Sequence, residues 1–127
     1  FILSPQEATF SNADEQFMIK LNEMIDQNLS QPDLDVKFLT VQMAMSRTSL
    51  YNKIKELTGM GANDYINRRR IDKAIILLIQ SDMSITEISE QVGFTYQRYF
   101  STLFKEMKGM TPSQFRAQHG STQQQSE

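Results

Sequence analysis

The chain contains no cysteine, which excludes disulfides and thiolate metal sites. That lack is consistent with a reducing cytoplasmic home. There is one histidine, His119, close to the end of the sequence. Without a second histidine or a thiol, metal ligation and most nucleophile and acid–base constellations have no material. The five glycines are scattered and build no phosphate-cradling loop; most stand where helices should stop. No apolar run is long enough to span a bilayer, the longest being "AIILLI" at 74–79, and no signal peptide is visible. No stretch alternates as a half-buried strand would. These absences leave no catalytic residue, metal or cofactor to nominate, so an enzyme is not expected. The chain begins at Phe1 without an initiator methionine, which reads as a piece of a longer protein.

What the sequence does contain is a repeat. "LYNKIKELTGM" at 50–60 is echoed by "FSTLFKEMKGM" at 100–110. Helical signals surround both copies. Phe17, Leu21, Met24 and Ile25 fall on one face of a first helix, favoured by Asp14 and Glu15 at its positive end and stopped by Pro32. Val36, Leu39 and Met43 mark a second helix after Asp35, its N-cap. Leu50, Ile54 and Leu57 mark a third, capped by Ser46 and ended by Gly59. A long helix covers 63–80. "SITE" at 84–87 is a capping box of Ser84 and Glu87, and Ile85, Ile88 and Val92 make the fifth helix. Phe100, Phe104 and Met107 make the sixth, capped near Thr95 and ended by Gly109. Thr111 and Pro112 open a seventh. Met18, Met24, Met43 and Met107 lie on or beside apolar faces and read as core filler.

Each copy is therefore a short helix, a tight turn and a longer helix, a helix-turn-helix. The turns are "AMSR" at 44–47 and "GFTY" at 93–96, with Ala44 and Gly93 placed where two helices would cross closely. The expected fold is all-α: seven helices in two homeodomain-like helix-turn-helix subdomains joined by a long central helix. Its expected divisions are a linker at 1–13, a first subdomain at 14–62, the central helix at 63–81, a second subdomain at 82–119 and a disordered tail at 120–127. The central helix is apolar almost all round between Ile71 and Ile79, so it should lie between the halves and pack against both.

Charge is distributed unevenly. The net charge is −2, yet residues 1–35 carry seven acids and one Lys, while 46–73 carry seven Lys or Arg against three acids. Polyanion binding follows the local patch rather than the total. The outward stripe of the third helix is Thr48, Tyr51, Asn52 and Lys55. Fifty residues on, the sixth helix repeats the register with Arg98, Ser101, Thr102 and Lys105. Neither stripe contains an acid, as a helix facing phosphates requires. Arg98 suits guanine and Asn52 adenine, and hydroxyls bond bases or phosphates. The helix starts at Ser46 and Thr95 offer hydroxyls and free N–H groups to phosphates.

Three segments, "MSRTSLYNKIKELTGM", "RRRIDKA" and "VGFTYQRYFSTLFKEMKGMTPSQFR", resemble the signatures of the bacterial AraC/XylS-type transcription regulators. In the last, Gly93, Phe94, Tyr99, Phe100, Phe104, Lys105, Gly109, Pro112 and Phe115 stand where the signature expects them. The likeness covers residues 14–118 and implies a seven-helix, double helix-turn-helix DNA-binding domain. By position it carries base contact to Thr48, Tyr51 and Asn52, and to Gln97, Arg98, Ser101 and Thr102. Arg47, beside the first set, is grouped with them. Lys55, Lys105, Ser46 and Thr95 are the phosphate contacts. Members often have Arg at the positions of Asn52 and Thr102, so guanine reading and phosphate grip are weaker there. Gly61 and Ala62 replace the usual Ser-Pro, and a slightly frayed start to the central helix is expected. The leader "SPQEATFSNADEQFM" is similar to the junction before the output domain of membrane hybrid two-component sensors.

The resemblance thus implies a cytoplasmic output domain that binds double-stranded DNA in two adjacent major grooves and activates transcription. Its implied partners are RNA polymerase and an upstream sensor or receiver domain of the same chain; this fragment itself touches no membrane. The alternative is a helical protein-interaction module contacting RNA polymerase or a partner regulatory domain, which needs an exposed apolar patch.

Overall fold

The computed structural model describes residues 11–120, and these form seven helices and no strand. They are α1 (Asn12–Gln27), α2 (Val36–Met43), α3 (Arg47–Thr58), α4 (Ala62–Gln80), α5 (Ile85–Gln91), α6 (Gln97–Lys108) and α7 (Pro112–His119). The expected all-α class and helix number are therefore met. The expected tail lies outside the described residues except for Gly120, and the expected linker lies outside them up to residue 10. Residues 11–13 are not linker: Ser11 caps α1 by accepting from the Asp14 N–H at 3.0 Å.

Local chemistry fixes most boundaries. Asp35 accepts from the Phe38 N–H at 2.8 Å, and Ser46 from the Ser49 N–H at 3.1 Å. Ser84 and Glu87 close a full capping box, and the Ser84 N–H holds the Glu87 carboxyl below the usual range. Thr111 and Gln114 close another, with Pro112 at the first helical position. Gly59 and Gly109 end α3 and α6 in the left-handed region.

Four expectations need correction. Pro32 does not stop α1, which ends at Gln27, where the Asn28 side chain donates to the Met24 carbonyl at 2.8 Å. Thr95 does not cap α6. Tyr96 holds that position without a side-chain cap bond, because the extra residue in the second turn moves the helix start one place on. The central helix starts at Ala62, one residue before the expected start, and Gly61 gives it no side-chain cap; Ala62 is buried, and the Tyr65 N–H reaches the Gly61 carbonyl at 2.9 Å. Met107 is exposed, whereas Met43 is buried and Met18 and Met24 pack against the core.

Two cores result, and α4 serves them in succession along its length. Ala62, Tyr65 and Ile66 join Leu21, Ile25, Leu39, Leu50 and Ile54. Ile71, Ala74 and Leu78 join Ile88, Val92, Phe94, Phe100 and Phe104. The central helix is apolar over much of its C-terminal half because α5 and α7 both pack there, although Ile76 remains exposed.

Arg70 sits at the joint between the cores. It is 4% exposed, and it donates to the carbonyls of Leu29, Gln31 and Leu34 in the first half and of Val92 in the second. Gly93 makes room for it. A β-carbon there would lie 1.5 Å from Nη1 of Arg70 and 2.2 Å from the Leu29 carbonyl oxygen. So Gly93 is small to admit a guanidinium, not to let two helices cross. Ala44 likewise closes α2 as a left-handed cap at φ 54°, a conformation that strains a side chain by about 1–2 kcal/mol.

The two turn positions therefore respond oppositely to exchange. Ala44→Gly is expected to raise stability by roughly 1 kcal/mol. Gly93→Ala is expected to lower it by on the order of 3 kcal/mol. Urea denaturation followed by circular dichroism tests both; equal or reversed shifts would contradict this account of the turns.

Candidate nucleic-acid interface

The second helix of each motif turns its apolar side inward. Leu50 and Ile54 of α3, and Phe100 and Phe104 of α6, are fully buried. That orientation leaves Thr48, Tyr51, Asn52 and Lys55 exposed on α3. On α6, Arg98, Thr102 and Lys105 are exposed and Ser101 is half-buried. Arg47 is exposed at the start of α3 and shares a shallow depression with Tyr51 and Asn63. Gln97 is exposed at the start of α6, and the Thr86 hydroxyl donates to its amide oxygen at 2.5 Å. Ser46 and Thr95 are exposed, but only Ser46 is a cap, and its hydroxyl donates to the Ser49 hydroxyl at 2.9 Å.

The seven cations of residues 46–73 do not form one patch. Lys53 pairs with Asp14 of α1; Asp14 pushes the ammonium up, and Lys53 holds the carboxyl below the usual range. Arg69 pairs with Asp26 at 2.6 Å. Arg70 is buried, and its burial lowers its proton affinity from the ordinary arginine value. Arg68 and Lys73 line grooves between α1 and α4. Only Arg47 and Lys55 remain on the α3 face. Among the described residues, no ion pair engages Arg47, Lys55, Arg98 or Lys105.

Two supporting residues escaped the sequence reading. The Asn67 side chain of α4 donates to the Tyr99 hydroxyl at 3.3 Å, and Tyr99 meets Phe94 edge-on at 5.8 Å. Thr86 orients Gln97 from α5. Asn63 and Asn67, four apart on an otherwise mixed helix, were the available signal that one side of α4 faces α3 and α6. Asp72 and Ile76 lie roughly 140° and 180° around α4 from Asn67 at about 100° per residue. The grooves they line are thus on the opposite side. Exposed Ile19 also borders them.

The two stripes carry no acid, although Asp64 lines the depression beside Arg47, and no group of three His, Asp or Glu gathers among the described residues. His119 stacks on Phe115 at 4.2 Å. Among the described residues, no helix is long and apolar enough to cross a membrane.

The sequence profile of the helix-turn-helix domain family matches residues 39–118. Over 113 residues, 89% of this chain, the sequence is 36% identical to histidine kinase P4 of Formosa agariphila, of whose length it spans only 8%. An AraC-type transcriptional regulator of Chromobacterium violaceum superposes with a TM-score of 0.77 at 26% identity, covering 85% of this chain and 96% of that one. The DNA-binding domain of AdpA, solved with a target DNA, superposes with a TM-score of 0.74 at 26% identity, covering 84% and 97%.

If pairing with Asp14 withdraws Lys53 from the interface, the two lysines of α3 differ. Lys55→Gln is expected to reduce the salt slope of DNA affinity by about 1, and Lys53→Gln to leave it nearly unchanged. Fluorescence anisotropy across a salt series measures both slopes; similar losses would place Lys53 on the DNA.

Proposed function

The chain belongs to the AraC-type family of helix-turn-helix domains, the DNA-binding domains of transcription regulators, and on that premise we propose how it reads an operator. α3 and α6 each enter a major groove. α4 holds them on successive turns along one face of the duplex. Its 19 residues span about 28 Å at ~1.5 Å per residue. Adjacent grooves are about 34 Å apart, and the width of the reading helices supplies the difference.

One observation carries the reading: two exposed, acid-free polar stripes in the same register, each on the second helix of its motif. Arg98 donates bidentately to guanine, Asn52 and Gln97 pair with adenine by donating to N7 and accepting from the N6 amino group, and Thr48, Tyr51, Ser101 and Thr102 bond base edges. Arg47 reaches into the same groove. Lys55, Lys105, Ser46 and Thr95 hold phosphates, which sets register rather than sequence.

The likeness to a histidine kinase supports a place as the cytoplasmic output domain of a two-component regulator, commanded by a sensor or receiver domain upstream. We infer that it activates transcription by touching RNA polymerase. The α1–α4 side, where Ile19 and Ile76 are exposed, is open to such a partner without competing with DNA.

Selection from a random duplex library at low salt is expected to enrich two short boxes about one helical turn apart. Arg98→Ala should weaken binding to the selected duplex by about 5- to 150-fold, the equivalent of ~1–3 kcal/mol. Arg98→Glu should abolish it with the helical circular dichroism intact. Binding that survives Arg98→Glu would remove α6 from the reading surface. No enrichment at all would favour the protein-interaction module.

A further inference from the structure

We propose that Arg70 is the residue that fixes the spacing the domain accepts between its two DNA boxes. The inference rests on the double-reader model above and adds the device that makes the pair rigid. The first core takes its last α4 residue at Ile66, and the second takes its first at Ile71. Between them, residues 67–70 of α4 form the joint, and any bend or twist there swings α6 relative to α3. The strongest helix pairings run within each half or to α4, so helix packing alone gives the joint little lateral support.

Arg70 braces that joint. Nη1 donates to the Leu29 carbonyl on one side and to the Val92 carbonyl, at 2.6 Å, on the other. Nη2 adds the carbonyls of Gln31 at 3.1 Å and Leu34 at 3.3 Å. One planar group thereby ties the α1–α2 loop to the turn between α5 and α6. Its guanidinium carbon lies 5.8 Å from the centre of the Phe94 ring. Phe94 meets Tyr99 of α6, and Tyr99 is held by Asn67 of α4. Movement at the joint would have to break bonds to both halves and disturb the aromatic path to α6. The guanidinium lies between the two apolar clusters rather than within either, so we assign Arg70 a positioning role at the joint, beyond whatever stability its hydrogen bonds contribute.

A lysine keeps the charge but offers one point of attachment instead of a planar fork. Arg70→Lys and Arg70→Gln are therefore the test variants. The absence of native cysteine allows nitroxide labels at Val41→Cys on α2 and Glu106→Cys on α6 of the 127-residue chain. Spin-label distance measurement is expected to give one narrow distribution with Arg70 and a broad or shifted one in both variants. Affinity is then measured on selected duplexes with zero, one or two base pairs inserted between the boxes. Each insertion rotates one box by about 34°. The unsubstituted chain should lose about tenfold or more per insertion, since misplaced contacts cost ~1–3 kcal/mol. The variants should bind the best spacing less tightly and differ by only about threefold across the series, a flattening that general destabilisation would not produce.

Narrow distances and an unchanged spacing profile in both variants would overturn the proposal. So would loss of helical circular dichroism in both, because the cores would then depend on Arg70 to fold. Should the unsubstituted chain select no duplex, the double-reader model fails, and the brace is decided by the distance distributions alone.

Discussion

Among the described residues, the guanidinium of Arg70 hydrogen-bonds to both halves of the molecule. A buried charge is tolerated only when its hydrogen-bonding capacity is met. Here four backbone carbonyls meet it, and among the described residues no carboxylate pairs with it. The demand propagates outward. The α1–α2 loop must present its carbonyls inward, and the second turn must carry no side chain at Gly93. Phe94 must lie beside the guanidinium, from where it meets Tyr99 of α6. What appears in sequence as a glycine, an aromatic pair and an arginine is one constraint seen from three places.

The same economy of charge explains how an acidic chain leaves acid-free stripes on α3 and α6. Acids of α1 are used against cations that would otherwise be misplaced: Asp14 engages Lys53, and Asp26 engages Arg69. Exposed pairs of this kind add little stability. Their larger effect is on the distribution of field: they neutralise Lys53 and Arg69 and leave Arg47, Lys55, Arg98 and Lys105 among the cations without an ion pair. In that arrangement net charge predicts nothing about polyanion binding, and the position of each neutralised cation predicts a good deal.

The helices and their caps were readable because their causes are local. Asp35, Ser46, Ser84 and Thr111 satisfy N–H groups three residues away, and Gly59 and Gly109 stop helices by their own conformational freedom. The errors at helix ends came from a one-residue shift and from a nearer competing cap. Thr95 looked like a cap, but the longer second turn passed the position to Tyr96. Pro32 looked like a stop, but the Asn28 side chain had already ended α1.

The sequence by itself determined the helices, the two apolar faces and the two polar stripes, because periodicity and capping act within a few residues. It also determined the repeat, and through it the likeness to a family. Only the tertiary structure decided which cations remain free, how α4 divides its length between two cores, and what Arg70 does. Those outcomes depend on groups brought together across 22 to 43 positions of chain. No local pattern encodes a partner at that separation; folding supplies it.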